Sequence, residues 1–246
     1  MLKVHNAQVK GRVETQQLTA RGGEYVHLLG PNGAGKSSLL WMLGGLLAPD
    51  SGDVSLNNKP LQDYLADELA AMRALIMQGQ QSAFSLTVAE CLSFFAPGLY
   101  LPEELERTLE IKAFYSRPLN QLSGGEQRRV MIARGLMQIW PVIERGNAFI
   151  LMDEPVQGLD FYHQHRLCKL LQGLTEIGNL VIVSHHDLNL ALHYASRVWL
   201  MKEAQIIADG NAVKVLTEAT LSNVFACGVR IFEQTEGNRL IQTYLD

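Results

Sequence analysis

Compact apolar runs alternate with longer amphipathic stretches along this chain, and each run breaks at a polar or glycine-containing segment. Glu24 to Leu29, Ala74 to Met77, Ala148 to Met152 and Leu180 to Ser184 have the length and apolar continuity of strands buried on both faces. Lys36 to Leu47 has helical composition and is closed by Pro49 and the turn Asp50-Ser51-Gly52. This alternation predicts an α/β fold with a mainly parallel sheet, whose ligands sit where the strands end.

The pattern changes over roughly Leu86 to Glu144. Glu-rich helical stretches at Val88 to Phe95, Glu103 to Phe114 and Gly124 to Gln138 are joined at Pro97, Pro102 and Pro118, with no convincing strand. An all-helical subdomain (86–144) inserted into an α/β core (1–85 and 145–246) is the expected organisation of a single domain. Beyond Ala195, Arg197 to Lys202 and Gln205 to Ala208 predict a hairpin around Glu203-Ala204. A short helix follows, then a last strand pair at Arg230 to Gln234 and Leu240 to Tyr244, turning at Glu236-Gly237-Asn238.

Composition narrows the chemistry. The 246 residues are 47% hydrophobic and carry a net charge of −4, which argues against disorder and against a broadly basic nucleic-acid binder. Cys91, Cys168 and Cys227 are far apart, as reduced cytosolic thiols would be. The first residues lack the apolar stretch of a signal peptide, and the longest apolar run, Leu39 to Ala48, is about half of the ~20 residues a membrane span needs. Any work at a membrane therefore needs another polypeptide to supply the span.

Gly30-Pro31-Asn32-Gly33-Ala34-Gly35-Lys36-Ser37, followed by Ser38, fits the pattern GxxxxGKS/T between a strand and a helix. Glycines let successive backbone N–H groups face phosphate oxygens, Lys36 reaches the terminal phosphates, and the Ser37 hydroxyl suits Mg²⁺. Phe149 to Glu154 is an apolar strand that delivers two carboxylates. Asp153 suits an Mg²⁺ site, and Glu154 suits a base polarising an attacking water. Leu122-Ser123-Gly124-Gly125-Glu126-Gln127 is a second Ser-Gly-Gly turn opening a helix, and average composition generates it in only about 1 chain in 50,000. Two anion cradles separated by a helical insert suggest two copies sharing nucleotides head to tail.

These motifs together resemble the ATP-binding subunits of ABC transporters, whose signature is LSGGQ-like, over nearly the whole chain. The resemblance implies a P-loop NTPase fold of the ABC type, with an antiparallel β portion beside the parallel core. It implies hydrolysis of ATP with Mg²⁺ by a homodimer in which Ser123, Gly124 and Gly125 close over the partner's nucleotide. Gln78 resembles the Q-loop glutamine that touches Mg²⁺ and links to the membrane subunits, with Gln80 and Gln81 as alternatives. Asp160 in Gly158-Leu159-Asp160 resembles the D-loop aspartate, although Val156-Gln157 replaces the usual Thr-Ser. In Ser184-His185-His186-Asp187, His186 resembles the switch histidine that holds the γ-phosphate, with His185 as the alternative. His163 and His165, on different faces of the preceding helix, are expected to be solvated and to have no role.

One departure accompanies the match. Residues 1–24 contain no Phe, Tyr or Trp to stack on adenine, so the base is expected to rest on Val13 or Arg12. Within the family, the chain is similar to the importer subunits for vitamin B12, haem and iron-siderophores. The short non-aromatic N-terminal loop, the Gln-rich Gln78 to Gln81 and the link Gln138 to Asn147 favour vitamin B12. That group implies polytopic permease partners, indirectly a periplasmic binding protein, and a peripheral place on the cytoplasmic face of the bacterial inner membrane. A soluble ABC-type ATPase, as in iron–sulfur assembly, is the alternative from a different class.

Overall fold

The computed structural model describes residues 1–78, 85–98, 100–233 and 239–245. The chain opens with an antiparallel pair, β1 (Leu2–Val9) and β2 (Val13–Ala20), joined by a tight turn at Lys10 to Arg12. Their inward positions, Leu2, Val4, Ala7 and Val9 facing Val13, Leu18 and Ala20, are all buried. The fully buried β3 (Tyr25–Leu29) leads into α1 (Lys36–Leu43). That helix stops short of Leu47 because Gly44 and Gly45 follow and Gly45 turns back at φ 75°. Next come β4 (Ser51–Leu56), the two-residue β5 (Lys59–Pro60), α2 (Ala66–Ala70) and β6 (Arg73–Ile76).

From there to the next strand the described chain is helical: α3 (Val88–Phe95), α4 (Glu103–Leu109), α5 (Gly124–Gln138) and α6 (Trp140–Ile143). The stretch read as one helix from Glu103 to Phe114 is divided after Leu109. Glu110 takes a left-handed backbone (φ 50°), and the Glu106 carboxylate accepts the N–H groups of Ile111 and Lys112, 3.1 Å from each. Then follow β7 (Phe149–Asp153), α7 (Phe161–Glu176), β8 (Leu180–His185), α8 (Leu188–Tyr194) and the hairpin β9 (Arg197–Lys202) and β10 (Gln205–Gly210). Two short helices, α9 (Ala212–Val215) and α10 (Glu218–Phe225), stand where one was expected, ahead of the pair β11 (Gly228–Glu233) and β12 (Arg239–Tyr244). The turn assigned to Glu236-Gly237-Asn238 lies outside the described residues.

One ten-stranded sheet runs β5-β4-β1-β2-β10-β9-β3-β8-β7-β6. Its β9-β3-β8-β7-β6 half is parallel, and its β5-β4-β1-β2 half is antiparallel. A single parallel bridge, Gln205 to Glu14, joins β10 to β2. Helices α5 and α7 bury their apolar faces on one side of the parallel strands, around Leu136, Leu171 and Ile150. Helix α1 covers the other side, packing Leu39, Leu40 and Leu43 against Leu151 and Ile182. The parallel strands deliver the ends of β3, β6, β7 and β8 to one edge, and the sequence motifs sit there.

Asn179, fully buried, pins the helical stretch back onto this sheet. Its Nδ2 donates to the carbonyls of Ile143 (2.9 Å) and Leu174 (2.8 Å), and its Oδ1 accepts the Ala148 N–H (2.8 Å). Asn179→Ala removes all three bonds and strands the buried Ala148 N–H, while the Ile143 and Leu174 carbonyls keep the N–H groups of Gly146 (2.9 Å) and residue 179 (3.3 Å). It is expected to lower unfolding free energy by about 3 kcal/mol in urea denaturation, with an unchanged midpoint as the contrary result.

Candidate nucleotide site

The loop between β3 and α1 is shaped by close backbone approach. Gly35 sits at φ 102°, and a Cβ on it would lie 2.2 Å from the Arg12 carbonyl oxygen, so only glycine fits. The Ala204 N–H donates to the Ala34 carbonyl (3.0 Å), clamping the loop against the turn between β9 and β10. The Lys36 ammonium is buried and donates to the carbonyls of Gly30 (2.7 Å) and Pro31 (3.1 Å). Burial lowers its pKa, while the nearby charges of Glu154 and Asp153 oppose that shift. The cation is thus held at the loop by acceptors that a phosphate oxygen can replace.

A cleft of about 340 Å³ opens here, lined by Asn32, Gly33, Gly35, Lys36, Ser37 and Ser38 on one wall. Gln78, Asp153 and Glu154 line the facing wall, with Gly11 and Arg12 at the rim. The structure therefore gathers the loop, both strand-end acids and Gln78 around one space. Gln80 and Gln81, the alternatives to Gln78, lie outside the described residues. Gln78 also donates through Nε2 to Gln157 Oε1 (2.5 Å).

Both acids are fixed by β8. Ser184 Oγ donates to Asp153 Oδ1 in a short bond, and the Glu154 N–H reaches both the carbonyl and the hydroxyl of Ser184 at 3.1 Å. Glu154 itself adopts a left-handed backbone (φ 50°), a cost that surrounding bonds must hold in place. Its Oε2 is buried and makes no hydrogen bond, and His186 Nδ1 stands 3.3 Å away. His186 is exposed. His185 turns into the core, where its Nδ1 accepts the Asp187 N–H (3.2 Å) and its Nε2 lies 2.7 Å from His27 Nδ1. Of the two histidines, only His186 is placed against the acid.

The second Ser-Gly-Gly turn does not line this cleft. Ser123 caps α5 reciprocally with Glu126: the Ser123 N–H donates to Glu126 Oε2 (2.7 Å) and the Glu126 N–H to Ser123 Oγ (3.3 Å). Asp160 caps α7 by accepting the His163 N–H (2.8 Å). Two expectations need correction. Val13 is 1% exposed, because its side chain points into the sheet core opposite Val9, and so it cannot support a base; Arg12 remains at the rim. His163 is buried, not solvated, because Asp160 and Arg129 hold its ring (2.9 Å each), whereas His165 is exposed beside Tyr194.

Arg128 is a site residue that motif reading misses. Its half-buried guanidinium donates to the carbonyls of Met77 (2.9 Å), Asp153 (2.7 Å) and Glu154 (2.8 Å), tying α5 to the strand ends that carry Gln78 and both acids. In sequence it is one of two adjacent arginines at the start of a polar helix, which reads as surface charge.

The buried histidine pair makes stability pH-dependent. Burial lowers His27 well below the usual histidine range, with His185 adding to the shift, and burial lowers His185 to about 4. The unfolded chain takes up these protons near pH 6.5, so stability is full above that pH and falls as pH drops toward 4. Urea titrations should show a loss on the order of 3 kcal/mol across this window from the His185 shift, and a flat profile contradicts the assignment.

Comparison with known proteins agrees with the site. The ABC transporter family model matches residues 13–157. The hemin import ATP-binding protein HmuV of Escherichia coli O157:H7 is 38% identical over 237 residues, covering 94% of this chain and 92% of that protein. The vitamin B12 import ATP-binding protein BtuD of Yersinia enterocolitica is 37% identical over 252 aligned residues, covering 98% of each. The dimeric structure of the ATP-binding cassette MJ0796 in a post-hydrolysis state, bound to ADP and Pi, is similar at TM-score 0.70 and 28% identity, covering 86% of this chain and 99% of that one. With its glycine-rich loop before α1, its strand-end acids and these relatives, the chain belongs to the ATP-binding, ATP-hydrolysing family of ABC transporter subunits.

Proposed function

We propose that the chain is the energy-coupling ATPase of an importer, acting as a head-to-tail homodimer that sandwiches two MgATP. The carrying observation is the split of the motifs. Lys36, Ser37, Asp153 and Glu154 line one open cleft, with His186 Nδ1 3.3 Å from Glu154 Oε2, while the second Ser-Gly-Gly turn, Ser123 to Gly125, is not part of its lining. A second copy supplies that turn, and so each triphosphate is gripped from both sides.

Lys36 exchanges its loop carbonyls for β- and γ-phosphate oxygens, with the loop amides around Gly33 to Ser37 as further donors. Ser37, Asp153 and Gln78 offer the neutral and anionic oxygens that Mg²⁺ prefers. Among the described residues no cluster of His, Cys, Asp or Glu could hold a metal alone, so phosphate and water complete the shell. When bound, the ion neutralises charge on the phosphates. The Glu154 oxygen that makes no hydrogen bond accepts one from the attacking water, and His186, 3.3 Å from it, steadies the γ-phosphate. Asp160 meets the partner at the junction.

Glu154→Gln should reduce ATP turnover at least about 100-fold while retaining ATP, and should shift the protein to a dimer in size-exclusion chromatography with ATP. Near-normal turnover sinks the role of Glu154. Among the described residues no helix is long and apolar enough to cross a membrane. The partners are then separate permease subunits, reached through the Gln78 segment and the helical stretch. Such a complex places the chain on the cytoplasmic face of the inner membrane, with a periplasmic binding protein presenting the cargo.

Vitamin B12 is the favoured cargo, and haem is the second reading, because a hemin importer subunit is as similar as the B12 ones. ATPase activity of the reconstituted complex is expected to rise with a cobalamin-loaded binding protein. Stimulation by a haem-loaded one alone reverses the order.

A further inference from the structure

The histidine that motif reading leaves without a role joins two segments that face the partner. His163 Nδ1 lies 2.9 Å from both carboxylate oxygens of Asp160, and its Nε2 lies 2.9 Å from Arg129 Nη1 on α5. A carboxylate only accepts and a guanidinium only donates, so the two neighbours specify one tautomer, with the proton on Nδ1 and the lone pair on Nε2. Arg129 is anchored in turn: it donates to the Leu109 carbonyl (2.6 Å) and lies over the Phe114 ring. Glu110 Oε2 stands 3.6 Å from His163 Nε2, while Glu110 Oε1 accepts from Arg166 (2.7 Å). The helix cap at Asp160 requires only the His163 backbone N–H, so the ring contacts are additional to capping.

A second contact runs alongside. A Cβ on Gly125 would lie 2.8 Å from the Gly158 carbonyl oxygen, so the signature turn sits directly on the loop that carries Asp160. Gln164, one turn along α7, donates to the Leu159 carbonyl (2.9 Å) and holds that loop from behind. The signature helix and the Asp160 loop thus meet at backbone level through Gly125 and at side-chain level through His163.

The geometry points to His163 as a positioning residue that locks Asp160 to the signature helix through Arg129, so that the two partner-facing segments of one chain engage the second chain as a single body. This rests on the two-chain reading above. His163 touches neither the phosphate loop nor the strand-end acids, so its loss acts on assembly and not on binding of nucleotide to one chain.

The test uses the full chain carrying Glu154→Gln, with dimerisation followed by sedimentation velocity across an ATP titration. His163→Ala, and His163→Asn, which keeps a donor for Asp160 but does not reach Arg129, should each raise the ATP concentration for half-dimerisation about 10-fold. Binding of a fluorescent ATP analogue to the separate chain should stay within about twofold, and the unfolding midpoint within a few degrees. Unchanged half-dimerisation in both variants overturns the inference, as does a parallel loss of single-chain nucleotide affinity. A Glu154→Gln chain with His163 intact that stays monomeric at saturating ATP overturns the two-chain reading itself, and this inference with it.

Discussion

A buried ammonium and two buried carboxylates share the edge of a parallel sheet, and the rest of the site is organised around keeping these charges hydrogen-bonded. Unpaired, each would carry a desolvation cost of several kcal/mol. Lys36 is held by the carbonyls of its own loop, Asp153 by Ser184, and the strained Glu154 backbone by Ser184 and Arg128. One carboxylate oxygen, Glu154 Oε2, is left without a hydrogen bond. That oxygen lies 3.3 Å from His186 Nδ1, beside the cleft that Lys36 also lines.

Arg128 extends this arrangement beyond the cleft. By bonding the carbonyls that precede Gln78 and follow Met152, it fastens α5 to the strand ends that carry Gln78, Asp153 and Glu154. Asn179 does the same at the far end of the helical stretch, joining Ile143 to β7 through buried bonds. A few polar contacts thus join the helices to the sheet between otherwise apolar layers.

The parallel strands and the phosphate loop are legible in sequence, because continuous apolar runs and glycine spacing are local signals. Strands β1, β2 and β4 are harder to read. They are half-exposed, their alternation is interrupted at Asn6 (φ 46°), and polar residues such as Gln16 and Gln17 interleave with the buried ones. Motif reading prefers His186 to His185 without excluding either, and the structure separates the two by burying His185 against His27 and setting His186 beside Glu154. Val13 and His163 mislead for one reason: exposure is a tertiary property. An apolar residue beside a turn can point inward, and a histidine on a polar helix can be enclosed by charges from two other helices.

The central claim is that each nucleotide site is built from two chains, and complementation tests it most directly. Chains carrying Lys36→Ala have a dead phosphate loop and an intact signature turn; chains carrying Ser123→Arg have the reverse. Each is expected to be inactive alone, yet mixing them creates heterodimers with one complete composite site, and ATP hydrolysis should reappear. If mixtures across all ratios stay as inactive as their components, every site is confined to a single chain and the account is wrong.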